Sequence, residues 1–152
     1  MMYKHIFVAI DDSRTSSKAL DEAITLARLH GAVLEIAHAV DESMVQSFAP
    51  HGAALVDTGK LQHAILDGGR ATLSEAVAKA VEAGVTPRER LLVSEDRHAA
   101  DQIATAVTES GADLLVVGSH GRRGFRRLLL GSVAENLVRK IDISVLIVRG
   151  HA

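Results

Sequence analysis

Short apolar runs alternate along the chain with longer stretches in which apolar residues recur every three or four positions. Residues 6–10 are wholly apolar and rich in β-formers, which predicts a strand buried on both faces. Residues 13–30 place Ala19, Ala23 and Ala27 in one line, with Leu20 and Ile24 beside it. That spacing predicts a helix, and Gly31 is a natural stop for it. Residues 33–40 read as a second strand. From 41 to 60 the period fades, with Phe48, Pro50, Gly52 and Gly59 in no order, so this stretch is expected to be the most mobile.

Helical spacing returns over residues 61–83, where Leu73, Val77, Ala80 and Val81 share a face. Gly68-Gly69 is expected to weaken its first part or break it, and Gly84 to end it. Residues 90–94 predict a third strand. Residues 99–110 predict a third helix carrying Ile103, Ala104 and Val107, with Gly111 after it. Residues 114–117, Leu-Leu-Val-Val, give the strongest strand signal; 132–141 predict the last helix and 145–148 the last strand.

Regular alternation of strand and helix predicts an α/β domain with a parallel sheet and right-handed crossovers. Ligands of such open sheets sit beyond the carboxyl ends of the strands, where the winding reverses. Three places then matter: Asp11-Asp12-Ser13, the stretch from His38 to Asp41, and Gly118 onward.

Length and composition narrow the picture. With 152 residues the chain is expected to form one domain over 1–152, within the usual prior of roughly 100–200 residues. Aromatic residues make up 3% with no Trp, too few for a platform that stacks single-stranded nucleic acid. A formal net charge of −2 gives no global field toward nucleic acid or anionic membranes, so neither is expected as a partner. The absence of Cys excludes disulfides, thiol catalysis and Cys-ligated metal centres. The apolar run at 6–10 is too short for a signal peptide or a membrane span, so a cytoplasmic location is expected.

Candidate chemistry concentrates after the fourth strand, in Gly118-Ser119-His120-Gly121-Arg122-Arg123-Gly124-Phe125-Arg126-Arg127-Leu128-Leu129-Leu130-Gly131-Ser132. Gly118 and Gly121 allow backbone to approach a ligand closely. Gly131-Ser132 falls where a helix begins, and helix starts suit phosphate. Four arginines between 122 and 127 supply planar forks for phosphate oxygens in an otherwise slightly acidic chain. The plain alternative is that the glycines shape a turn, the arginines form a solvated face, and Ser132 with Glu135 makes a capping box. The two readings are compatible, since a capping serine still has a proton to donate. Asp11 likewise reads either as a ligand contact or, with Asp12 and Ser13, as a helix cap. The eight histidines show no paired ligand spacing. His120, inside the glycine turn, is a candidate phosphate contact.

The spacing Gly118-x2-Gly121-x9-Gly131-Ser132 resembles the ATP-binding signature of the universal stress protein family. Further blocks match in order. Residues 6–13 resemble the family's opening strand and Asp-Gly-Ser turn, and 112–121 its fourth strand. Residues 128–138 resemble its G-S-V-x-E-x-V helix start, and 145–149 its closing strand. The resemblance implies a Rossmann-like open five-stranded parallel sheet with helices on both faces, and a homodimer through the last strand, Val145 to Val148. It implies ATP held with Mg2+ or Mn2+ in a stress-response regulator, with Asp11 and Ser13 at the nucleotide and Asp11 at the metal. It places Ala39 and Val40 on the adenine. Around the phosphates it places Gly118, Gly121, Gly131 and Ser132; His120, Arg122 and Arg123 join them as candidates on their own chemistry, and Val133 follows in the same helix start.

The chain also departs from the family pattern. Asp12 replaces the usual Gly, Ala39 replaces a larger apolar neighbour of adenine, and Ser144 replaces a common Pro. The P-loop pattern G-x4-G-K-[S/T] is absent, which favours binding over efficient turnover. A slow metal-dependent ATPase, and a nucleotide-free dimeric module acting through an unknown protein partner, remain the alternatives.

Overall fold

The computed structural model describes residues 2–11, 13–41, 58–94, 96–120 and 130–150. Among these residues five strands and four helices alternate: β1 (His5–Ile10), α1 (Arg14–His30), β2 (Val33–Asp41), α2 (Thr58–Glu82), β3 (Arg88–Ser94), α3 (Ala99–Ser110), β4 (Leu114–Gly118), α4 (Ser132–Lys140) and β5 (Ser144–Val148). All pairings are parallel, in the order β3-β2-β1-β4-β5. The fold is therefore the expected α/β architecture.

The side chains of β1 alternate between two cores. Ile6, Val8 and Ile10 pack with Leu34, Ile36, Leu114 and Val116 beneath α1 and α2. Phe7 and Ala9 pack with Ala37, Leu115 and Val117 beneath α3 and α4. Both faces of the central strands are covered, which is why their sequences are apolar runs and not alternations. Gly31 ends α1 in the left-handed region at φ 62, and Ala32 N then donates to Ala27 O at 2.9 Å.

Two expectations fail. The Gly68-Gly69 pair does not break α2, which runs unbroken from Thr58 to Glu82. A Cβ on Gly69 would lie 2.6 Å from Val40 Cγ2 and 3.3 Å from His38 Cδ2, so the glycine is what lets the helix lie against β2. Tertiary packing outweighs a propensity cost of about 1 kcal/mol per glycine. Ser132 does not cap α4 either: the N-cap is Gly131, Ser132 is exposed in the first turn, and Glu135 binds Arg139 at 3.1 Å. Most of the 41–60 stretch expected to be mobile lies outside the described residues.

At the amino ends of the strands, Glu35 (3% exposed) binds His5 Nε2 at 2.9 Å and Arg90 Nε at 2.7 Å. Asp113 accepts from Lys4 N at 2.9 Å and His5 N at 3.0 Å. Among the described residues, no helix is long and apolar enough to cross a membrane.

Candidate functional site

The winding reverses between β1 and β4. From β1 the chain turns into α1 on one face, and α4 follows β4 on the other. Their carboxyl ends therefore border the crevice in which open sheets hold ligands. Asp11 follows β1 directly. Its Oδ1 accepts from Ser13 N at 2.7 Å, and its own N–H donates to Ser16 Oγ at 2.7 Å. Ser13 caps α1 by accepting from Ser16 N at 3.1 Å. The capping interpretation of this turn is thus realised by Ser13, while Asp11 braces the turn and keeps its second carboxylate oxygen.

Gly118 closes β4 under the first turn of α1. A Cβ there would lie 3.0 Å from the Thr15 carbonyl carbon and 3.2 Å from Ser16 N. These are backbone atoms, so the close approach itself demands glycine. Ser119, 3% exposed, is held at three points. Its N–H donates to Val148 O at 2.8 Å, its carbonyl accepts from Gly131 N at 2.7 Å, and its Oγ lies 2.9 Å from His120 Nδ1. The carbonyl of His120 accepts from Thr15 Oγ1, and Ser13 Oγ lies 3.5 Å from it. His120 Nε2 is buried with no partner among the described residues.

Gly131 is buried and Ser132 exposed at the start of α4, while Val133 packs half-buried against the α3–α4 core. Hydrogen bonding through Ser119 thus brings β4, β5 and the start of α4 together. Two helix starts, with their free N–H groups and positive dipole ends, open on this edge of the sheet.

At the end of β2 the side chains part. Ala39 packs on the α3–α4 side, whereas Val40 is buried on the other side against Gly69. Val40 O accepts from Gln102 Nε2 at 3.4 Å, and Gln102 also donates to Arg97 O at 3.1 Å. His38 Nδ1 lies 2.7 Å from Ile10 O. A carbonyl only accepts, so that nitrogen carries the proton.

Of the residues singled out from the sequence, Asp11 bonds Ser13 and Ser13 reaches the His120 carbonyl, Gly118 lies against Thr15 and Ser16 of the same helix start, and Gly131 joins through Ser119. Ser132 and Val133 follow in α4, and Ala39 and Val40 end β2. Gly121, Arg122, Arg123 and Asp12 lie outside the described residues. Sequence reasoning passed over Thr15, Ser16, Ser119, Gln102 and Gly150. The run Ser13-Arg14-Thr15-Ser16-Ser17 at a helix start was the available signal for the first two. Among the described residues no group of three or more acidic or histidine side chains gathers as a metal cage. The second carboxylate oxygen of Asp11 has no partner among the described residues and is the atom that would face an ion held with a phosphate.

An open parallel sheet with polar groups gathered at its switch point defines the class: a Rossmann-like α/β domain, whose kind takes ligands outside the carboxyl ends of the strands. The sequence profile of the universal stress protein family matches residues 2–149, and the chain belongs to that family. It is 34% identical over 151 residues to universal stress protein YxiE of Bacillus subtilis, covering 97% of this chain and 100% of the relative. A universal stress protein solved in complex with cAMP superposes with a TM-score of 0.65 at 32% identity, covering 97% of this chain and 98% of that one. The universal stress protein from Archaeoglobus fulgidus in complex with dAMP superposes with a TM-score of 0.68 at 27% identity, covering 97% and 99%.

Proposed function

We propose that this chain is an adenine-nucleotide-binding stress-response regulator that takes ATP with Mg2+ or Mn2+ and works as a cytoplasmic homodimer. The observation that carries this reading is the meeting of Asp11, Ser13, Gly118, His120 and Gly131 at the β1–β4 switch point. Two relatives, one in complex with cAMP and one with dAMP, add to it.

In this reading the glycine turn and the start of α4 receive the phosphates, with Gly118, Gly121, Gly131, Ser132 and Val133 lining the cradle and Arg122 and Arg123 adding charge. Ala39 and the Val40 backbone border the base. Asp11 and Ser13 stand at the sugar–phosphate side, with the free Asp11 oxygen toward the metal. The ion would neutralise phosphate charge. Binding is favoured over turnover because Asp11 Oδ1 is already engaged by Ser13 N and no cluster of three or more acidic or histidine side chains forms among the described residues. The dimer would form at β5, an edge strand whose Val145, Leu146, Ile147 and Val148 are half-buried in the monomer.

The test is calorimetric titration of the purified protein with ATP, ADP, AMP and cAMP in magnesium, with light scattering for mass in solution. Saturable one-to-one binding to a dimer is expected. A protein that binds none of the four overturns the nucleotide reading, and a monomer at micromolar concentration overturns the dimer.

A further inference from the structure

We infer that His120 serves the site as a fixed Nε2–H donor to a phosphate oxygen of the nucleotide, with Ser119 setting its tautomer. The inference rests on the nucleotide reading above and deepens it by naming the atom, the proton and the part of the ligand.

The argument is a count of donors and acceptors. Ser119 Oγ and His120 Nδ1 lie 2.9 Å apart, so one donates to the other. Suppose Nδ1–H donates to the serine. The hydroxyl proton of a residue only 3% exposed then needs another acceptor, and none is recorded among the described residues. The Nε2 lone pair is unpaired as well. Suppose instead that the hydroxyl donates to Nδ1. Ser119 is then satisfied, and the ring proton must sit on Nε2. This tautomer leaves one group unpaired and the other leaves two. A doubly protonated ring again strands the hydroxyl proton.

The unpaired group is thus an N–H shut away from water, next to the glycine turn. Buried donors in folded proteins have partners. Nothing on the protein side supplies one among the described residues. The main chain of His120 is held by the Thr15 hydroxyl, and Ser119 N and O are held by Val148 and Gly131, which fixes the backbone from which the ring projects. The partner we assign to it is an acceptor brought to the turn. In a pocket for nucleotides a phosphate oxygen fits that role, because a fully ionised phosphate only accepts.

The inference is tested first on the unaltered protein by long-range 1H–15N NMR of the histidine rings, which reads tautomers directly. His120 is expected in the Nε2–H form, with its Nε2 signal moving on addition of AMP and not on addition of adenosine. His120→Phe, which keeps a flat ring but no donor, is expected to weaken AMP about tenfold or more and to leave adenosine within about twofold. His120→Gln, which restores an amide N–H, is expected to recover part of the loss. A His120 ring in the Nδ1–H form, or AMP affinity unchanged in a folded His120→Phe protein, overturns the inference and leaves the nucleotide reading standing. An unaltered protein that binds neither AMP nor ATP removes both.

Discussion

Thr15 donates its hydroxyl to the main-chain carbonyl of His120, tying the first turn of α1 to the chain leaving β4. The same side chain meets the segment after β5, because a Cβ on Gly150 would collide with Thr15 Cγ2. One threonine therefore joins three strand ends at the switch point. Thr15→Val keeps the shape and removes the donor. It is expected to cost about 1 kcal/mol in urea unfolding, since the His120 carbonyl loses its hydroxyl partner. Nucleotide affinity should fall several-fold with it, because the turn that presents His120 is no longer pinned. Affinity equal to the parent's, with stability reduced, would show that the tie serves the fold alone.

Gly118→Ala tests the other contact at this junction. Gly118 is not in the left-handed region, so alanine suits its backbone; the obstacle is the Thr15 carbonyl carbon at 3.0 Å and Ser16 N at 3.2 Å. Relief requires α1 to move off β4, at a cost of about 1–3 kcal/mol. Gly84→Ala has open space but a φ of 87, so its cost is backbone strain of about 1–3 kcal/mol, far from the switch point. Both variants should melt earlier, but only Gly118→Ala should also lose nucleotide affinity. Equal loss from both would mean that global stability, not the α1–β4 approach, governs binding.

These contacts explain what the sequence could and could not reveal. Strand runs such as Leu114-Leu115-Val116-Val117 and the helical line Ala19-Ala23-Ala27 reflect burial that is local in period, so the elements and the parallel sheet were legible. The β1–β4 reversal that brings Asp11 and Gly118 to one edge is a matter of strand order, which local period does not set. Gly69 was misread because its partner is Val40, about thirty residues away and on another element. Ser132 offered itself as a cap because Ser132-x-x-Glu135 fits the capping box, but in the fold Gly131 takes the N-cap position without a side-chain hydrogen bond and Glu135 turns to Arg139. Thr15, Ser119 and Gln102 carry no periodic signature. Their importance comes from carbonyls at His120, Val148 and Val40 that only folding brings near.

The ion pairs at the opposite end of the sheet are unequal in burial, and that fixes which substitution hurts. Glu35 is 3% exposed, whereas the Arg90 side chain is 32% exposed and also reaches Glu109 at 3.4 Å. Arg90→Leu strands a buried carboxylate beside His5 alone and is expected to cost about 3–5 kcal/mol. Glu35→Leu leaves a partly exposed guanidinium that keeps Glu109 and water and a His5 ring without its Nε2 partner, but no buried carboxylate, so its cost should be smaller. The double variant should be more stable than Arg90→Leu alone. Urea unfolding of the three proteins decides it, and a double variant less stable than Arg90→Leu would contradict this account.

Asp113 gives the fold a defined acid sensitivity. Burial pushes its carboxyl up, but the N–H groups of Lys4, His5 and Asp113 itself, together with the charge of His5, outweigh burial and hold it below the usual carboxylate value. A carboxyl depressed in the folded state adds stability above its unfolded pKa, and that stability is lost as pH falls through the folded one. The window therefore opens at about pH 4 and extends downward. Asp113→Asn cannot ionise and keeps one acceptor oxygen where the parent uses two, for Lys4 N and His5 N. It should be less stable than the parent at pH 7, with the difference shrinking steadily as the pH falls below about 4. Urea unfolding of both proteins at pH 7, 4 and 3 reads this directly. A difference that stays constant across the series would mean that the carboxylate charge contributes nothing and that Asp113 acts by shape alone.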